Sequence, residues 1–342
     1  MRANCFPLAI AMLVVSTAPG QTAAEGTVER VFQFAHINTD VGFQRLGNTI
    51  RAIANVSQIS LNAQAKTLTV RGTASQMSLS EWLFRSLDRA AGSAPAGAKL
   101  EYTVSGSSDE LVRVLFLTHS TTPQDVQEII NAVRSVVEVQ RMIASEVPGP
   151  LVMRGTVAQV STAEWLVQAL DRPANAGPFV PASQTLSAPE FASLGSGVHV
   201  ARVFHPAHLT SPMQLQESVN MIRSLAEIQR AVGYNRTGAV IVRAESDQVA
   251  LAGWLLNALA KPPTEEAPLL KPPYNSFVTR MFYFADPAAP QGLPEIVKSI
   301  RSRTNLQRVA SYTSLAIAVR GTFDQVAAAE RLVKEMNAII AP

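Results

Sequence analysis

An arginine-led β pattern recurs four times along this chain, and each copy keeps the same spacing to later landmarks. The copies open as Arg30-Val31-Phe32, Arg113-Val114-Leu115, Arg202-Val203-Phe204 and Arg280-Met281-Phe282. Twenty-one residues on, each has an Ile-Arg or Val-Arg pair, ending at Arg51, Arg134, Arg223 and Arg301. Twenty residues later (nineteen in the last copy) stands another arginine: Arg71, Arg154, Arg243 and Arg320. Eleven beyond come Trp82, Trp165 and Trp254, with Arg331 in the fourth copy. Spacing held this tightly marks a duplicated structural unit, each copy one small supersecondary assembly. A feature present in every copy belongs to the scaffold, whereas a catalytic constellation normally occurs once.

Within a copy the periodicity reads β-α-β-β-α. In the first, Val31, Phe32 and Phe34 mark a buried strand, and Phe43, Leu46, Ile50 and Ile53 follow at helical spacing. Ile59 to Leu61 and Leu68 to Val70 are short β runs separated by the turn Asn62-Ala63-Gln64-Ala65. Thr73 or Ser75 caps the next helix, which packs through Leu79, Trp82, Leu83, Ser86 and Leu87. The second copy repeats this with Thr156, Val160, Trp165, Leu166 and Leu170. The fold class is therefore α+β: four tandem βαββα modules, each a small three-stranded sheet with two helices. A unit of this size is marginal alone, so each module is expected to lean on its neighbours. The three tryptophans are expected in the cores, where truncation to alanine costs about 3–5 kcal/mol.

The modules span residues 27–89, 110–172, 198–260 and 276–338. Residues 90–109, 173–197 and 261–275, rich in Ala, Gly, Ser and Pro, read as linkers. Residues 1–24 read as a secretory signal peptide: Arg2, an apolar run from Cys5 to Val15, then Ser16-Thr17-Ala18-Pro19-Gly20 and Ala23-Ala24. That run is too short for a permanent membrane span. Cys5 is the only cysteine, so the exported chain has no disulfide, thiol nucleophile or thiolate metal site. Its position also rules out a conventional lipoprotein anchor. A periplasmic or secreted location is expected. The formal charge of +3 comes without a dense basic block, which opposes nucleic-acid binding.

Laid out this way, the chain resembles a run of secretin amino-terminal modules, the small βαββα (NolW-like) units that form periplasmic rings below the pore of bacterial secretins. One element of the likeness is Arg113-Val114-Leu115-Phe116-Leu117-Thr118-His119, with Pro123-Gln124-Asp125-Val126 opening a helix. Another is Leu68-Thr69-Val70-Arg71-Gly72-Thr73-Ala74-Ser75-Gln76 with its close at Ser86-Leu87-Asp88, matched by Ala169-Leu170-Asp171 and Ala318-Val319-Arg320-Gly321-Thr322. Departures exist. The family's hairpin commonly carries Asp and then Thr-Asn-Ser, of which only Lys66-Thr67 and Tyr312-Thr313-Ser314 survive as fragments. No series of alternating strands follows the fourth copy, so a pore domain is not expected. The resemblance implies a role in cell-envelope protein secretion or assembly through protein contacts.

Catalytic, cofactor and metal sites are not expected anywhere. His205-Pro206-Ala207-His208 is interrupted by proline and has no third ligand at a fitting spacing, while His36 and His119 end equivalent strands. There is no nucleophile elbow and no phosphate-cradling glycine loop. Glu265-Glu266 sits in a proline-rich stretch, and Glu81 and Glu164 are read as facing solvent on a helix. Arg51, Arg134, Arg223 and Arg301 fall near helix carboxyl ends, where a cation is favoured. Arg141, Arg230 and Arg308 are placed on exposed or edge strands, where charge discourages edge pairing. These features lead to an exported, non-enzymatic scaffold or adaptor whose partner is an envelope protein or another copy of the chain. The alternative is a monomeric periplasmic binding module that captures a peptide or polysaccharide.

Overall fold

The computed structural model describes residues 26–90, 97–145, 149–173, 190–192, 199–206, 209, 211–260, 269–270, 277–284, 293–313 and 316–340. The expected leader at 1–24, the Glu265-Glu266 pair and His208 lie outside the described residues.

Module 1 contains β1 (Val28–Gln33), α1 (Asp40–Ala54), β2 (Gln58–Asn62), β3 (Thr67–Gly72) and α2 (Ala74–Leu87). The hydroxyl of Thr39 accepts from the Gly42 amide to start α1, and Asn55, left-handed at φ 57°, ends it. Thr73 and Gln76 form a capping box on α2. The Gln76 amide then reaches back to donate to the Asn55 carbonyl at 2.6 Å, tying the start of α2 to the end of α1. A side chain at position 72 would collide with this glutamine, since a Cβ there would lie 2.5 Å from Gln76 Oε1. Module 3 has Ala244 at the matching position, and there Gln248 still donates to the Ala226 carbonyl, so the glutamine can shift to make room.

Module 2 contains β4 (Lys99–Thr103), β5 (Leu111–Phe116), α3 (Pro123–Val137), β6 (Arg141–Ala144), β7 (Pro150–Gly155) and α4 (Val157–Leu170). Module 3 has β8 (Glu190–Ala192), β9 (His199–Phe204), α5 (Pro212–Leu225), β10 (Arg230–Tyr234), β11 (Ala239–Glu245) and α6 (Ser246–Leu259). Module 4 has β12 (Leu269–Leu270), β13 (Phe277–Tyr283), α7 (Leu293–Thr304), β14 (Arg308–Tyr312), β15 (Ala316–Thr322) and α8 (Phe323–Ile340). All pairings are antiparallel, in the orders β1-β3-β2, β4-β5-β7-β6, β10-β11-β9-β8 and β12-β13-β15-β14.

The α+β class and the βαββα order hold in all four modules. Three sheets gain a fourth strand, however: β4, β8 and β12 come from the stretches read as linkers. Each covers the open side of its module's first long strand, satisfying a row of backbone groups that would otherwise face water. At three and two residues β8 and β12 are too short for composition to reveal, while β4, as long as β2, follows directly on an Ala-, Gly-, Ser- and Pro-rich stretch.

By contacts the chain divides into two compact units: residues up to Ile130 with Glu138–Arg172, and Asn131–Val137 with residues from Pro173 on. In the first unit, one core joins Phe43, Leu46, Ile50, Ile53, Leu68, Leu79 and Leu83 of module 1 to Val104, Val112, Val114 and Val152 of module 2. In the second unit, the core of module 3 takes in Met281, Tyr312, Ala316 and Ala318 of module 4. Neighbouring modules within a unit thus share apolar burial, as their small size demands.

The expectation for the tryptophans is corrected. Trp82, Trp165 and Trp254 are only half-buried, whereas the next residue, Leu83, Leu166 or Leu255, is buried. Successive helix positions point about 100° apart, so the leucine faces the core squarely while Trp82 and Trp254 pack at its margin. Trp82 also packs against Tyr102 of β4, ring centroids 5.3 Å apart.

Candidate interaction surfaces

Strands in module 1 alternate between sheltered and exposed residues, the pattern of a sheet covered on one face only. Strands β5, β7, β11 and β15 run through four or more consecutive buried residues, so both faces of those sheets are covered. The second face is where modules join.

At the joint between modules 1 and 2, Arg154 of β7 donates from Nη1 to the Ile53 carbonyl at the end of α1, 2.7 Å away. Its Nε and Nη2 are held by the Asp109 carbonyl (3.0 Å) and Ser107 Oγ (3.1 Å). The joint between modules 3 and 4 repeats this geometry. Arg320 of β15 donates from Nη1 to the Leu225 carbonyl at the end of α5, also at 2.7 Å. The Glu227 carboxylate, just past that helix, pairs with Arg308 and lies 3.8 Å from Arg320. Tyr283 donates to the Ala258 carbonyl at 2.5 Å, and the Thr313 amide to Glu217 at 2.8 Å. The last carbonyls of a helix lack intrahelical partners and carry the negative end of its dipole, so a guanidinium suits both needs. Burial lowers the pKa of Arg154 and Arg320, and the adjacent Arg141 and Arg308 lower it further; Asp109 and Glu227 act the other way.

The opening arginines have a different task. Arg113 forms ion pairs with Glu164 of α4 and Glu101 of β4, and Lys99 Nζ lies 2.9 Å from Glu164. Arg30 pairs with Glu81 of α2, and Arg280 Nη1 lies 2.7 Å from Glu330 of α8. The expected solvent-facing role of Glu81 and Glu164 is therefore wrong. Glu164 is 7% exposed, and both carboxylates clamp a helix to its own sheet. Pattern alone concealed this, because a glutamate beside a tryptophan reads as the polar side of a helix.

Asp88 and Asp171, which close the motifs after α2 and α4, are anion caps for loops. Asp88 accepts the amides of Ala35 (2.7 Å), His36 (3.0 Å) and Ile37 (2.8 Å). Asp171 accepts those of Thr118 (2.5 Å), His119 (2.9 Å) and Ser120 (2.7 Å). Nδ1 of His36 and of His119 lies 3.1 and 3.0 Å from the carbonyl of the same aspartate. The two histidines thus have structural partners, as their matching positions suggested. Among the described residues no group of three or more His, Cys, Asp or Glu is placed to hold a metal ion.

Strands β2, β6, β10 and β14 lie at sheet edges, carrying Gln58, Arg141, Arg230 and Arg308. Arg301 donates to the Val309 carbonyl of β14 at 2.9 Å, and Arg223 to the Ala231 carbonyl of β10 at 2.6 Å. These two arginines, read as helix-end cations, occupy an edge acceptor that an incoming strand would use. A groove of about 890 Å³ runs beside β14, lined by Glu217, Met221, Val297, Lys298 and Ala310 among others. No helix among the described residues is long and apolar enough to cross a membrane.

No family model matches the chain, and no curated protein matches it. Solved structures do match. The N-terminal domain of the secretin XcpQ from Pseudomonas aeruginosa has 17% sequence identity and a TM-score of 0.19, the match covering 47% of this chain and 70% of that one. ExeD of Aeromonas hydrophila has 13% identity and a TM-score of 0.16, covering 88% and 60%. The pilotin–secretin AspS–GspD complex of ETEC has 13% identity and a TM-score of 0.15, covering 90% of this chain and 55% of that one.

Proposed function

We propose that this chain is an exported, non-enzymatic scaffold or adaptor of secretin-N-like modules, acting in cell-envelope secretion or assembly through protein contacts. The observation that carries the reading is the use made of its polar side chains. The recurring arginines, glutamates and aspartates go into strand–helix and loop contacts that hold each module together and helix-end contacts that set neighbouring modules in register. Function then falls to exposed faces. The sequence resemblance to secretin amino-terminal modules points to the envelope as the setting, and the leader at 1–24 to export. Strand capture by an edge is the less favoured alternative, because Arg301 and Arg223 already occupy acceptors on β14 and β10.

Two measurements test this. Fractionation should find the chain processed and outside the cytoplasm. Site-specific crosslinkers on exposed faces should then trap a defined envelope protein or a second copy. A cytoplasmic, unprocessed chain, or crosslinks that form with no reproducible partner, would overturn the proposal.

A further inference from the structure

We propose that copies of this chain associate head to tail, the outer sheet face of module 1 in one copy seating on the end of α7 in another. This rests on the reading that the chain acts through protein contacts, and it names the occupant of one such surface: a second copy.

Three contacts inside the chain follow one rule, an arginine on the third strand of one module (Arg154, Arg243 or Arg320) donating to the carbonyl two residues after the Ile-Arg or Val-Arg pair of the module before it. Arg71 holds the donor position in module 1. It is exposed and makes no hydrogen bond or ion pair among the described residues. On the same face Val31 is 48% exposed, although its counterparts Val114 and Met281 are fully buried in joints. Module 1 thus carries the donor half of a joint on which no described residue is seated. The acceptor half, the end of the Ile-Arg helix, recurs at α7, where the matching carbonyl belongs to Arg303, two residues past Arg301.

The two free halves differ from the internal ones in a paired way. Cross-strand neighbours of the donor arginine share its face. On the first strand these are the uncharged Val112 beside Arg154, Ala201 beside Arg243 and Thr279 beside Arg320, while the edge strand sets Arg141 beside Arg154 and Arg308 beside Arg320. Beside Arg71 stands Glu29, exposed. On the acceptor side Ile53 and Leu225 are buried, while the matching Arg303 is exposed. Docked by the same rule, Glu29 of one copy faces Arg303 of the next. The uncharged first-strand neighbours of the internal joints are thus replaced, between chains, by a pair of opposite charges. That exchange makes the contact weaker and salt-sensitive. A head-to-tail contact is heterologous and yields open chains or rings.

The test is sedimentation velocity of the purified chain over a wide concentration series at low and high salt. Multimers that grow with concentration and shrink with salt are expected. Arg71→Ala should raise the dissociation constant about tenfold or more. Glu29→Arg and Arg303→Glu should each weaken association, and the double variant should restore it. These positions are exposed, so thermal melts of the variants should match the parent. A monomer at every concentration would overturn the proposal and leave the polar faces as simple caps. Multimers indifferent to Arg71→Ala and to the charge exchange would also overturn it, while leaving the scaffold reading in place.

Discussion

Arg320 reaches out of its own sheet to the Leu225 carbonyl of the preceding module, 2.7 Å away, and Arg154 makes the same 2.7 Å bond to Ile53. One side chain therefore satisfies a buried helix end and fixes the register between two modules. Net hydrogen-bond energies are modest, but a buried acceptor left without a donor costs about 1–3 kcal/mol. Arg320→Ala and Arg154→Ala are expected to lose roughly that much, about 1–3 kcal/mol, in denaturant melts. Arg71→Ala, at the exposed counterpart, should change the stability of the isolated chain by less than about 0.5 kcal/mol. Equal losses at all three positions would show that the bond between modules is not what the arginine supplies.

The strand–helix ion pairs differ in burial, and their energies should differ too. Arg113 and Glu164 are both largely buried, while Arg30 and Glu81 are each more than a quarter exposed. Without Glu164 the buried Arg113 keeps only the half-exposed Glu101 as a partner, so Glu164→Gln should destabilise by about 2 kcal/mol. Glu81→Gln should cost about 1 kcal/mol or less because water screens the remaining arginine. Chemical denaturation of the two variants side by side checks the ranking, and a larger loss for Glu81 would refute it.

Adjacent residues on α2 offer a second ranking. Leu83 has no exposed surface, so Leu83→Ala is expected to cost about 2–5 kcal/mol. Trp82 is half-buried against Tyr102, so Trp82→Ala should cost about 1–2 kcal/mol despite the larger side chain. Thermal melts decide it; a tryptophan loss exceeding the leucine loss would restore the expectation of a core ring.

Tyr312 gives the joint between modules 3 and 4 a dependence on alkaline pH. Burial, aided by the Glu217 carboxylate and opposed by a hydrogen bond with Ser218, pushes its phenol up to about 12. A tyrosine in the unfolded chain ionises near 10. The folded state thus keeps a proton that the unfolded state gives up. The contribution is whole below about pH 10 and fades as the pH rises toward 12. Tyr312→Phe should flatten the decline in stability across that window, and ultraviolet titration should show one late-ionising phenol fewer. An unchanged profile would mean the hydroxyl is already solvated.

The sequence by itself determined the four-module order and its α+β class, because helical and strand periodicities follow directly from backbone geometry and need no distant partner. It also narrowed the cap of α2 to Thr73 or Ser75, of which Thr73 serves, and put Arg141, Arg230 and Arg308 on exposed or edge strands, since those positions depend on neighbours a few residues away. Which module an arginine serves was beyond it. Arg30 and Arg71 differ little as letters, yet Arg30 faces its own helix and pairs with Glu81, while Arg71 stands on the opposite face. The partners of Arg154 and Arg320 lie 101 and 95 residues away, at distances that local pattern does not span. Only the tertiary structure decided those contacts, the fate of the tryptophans and the added strands β4, β8 and β12. Each depends on which surfaces meet, and small modules are held together by the surfaces they share.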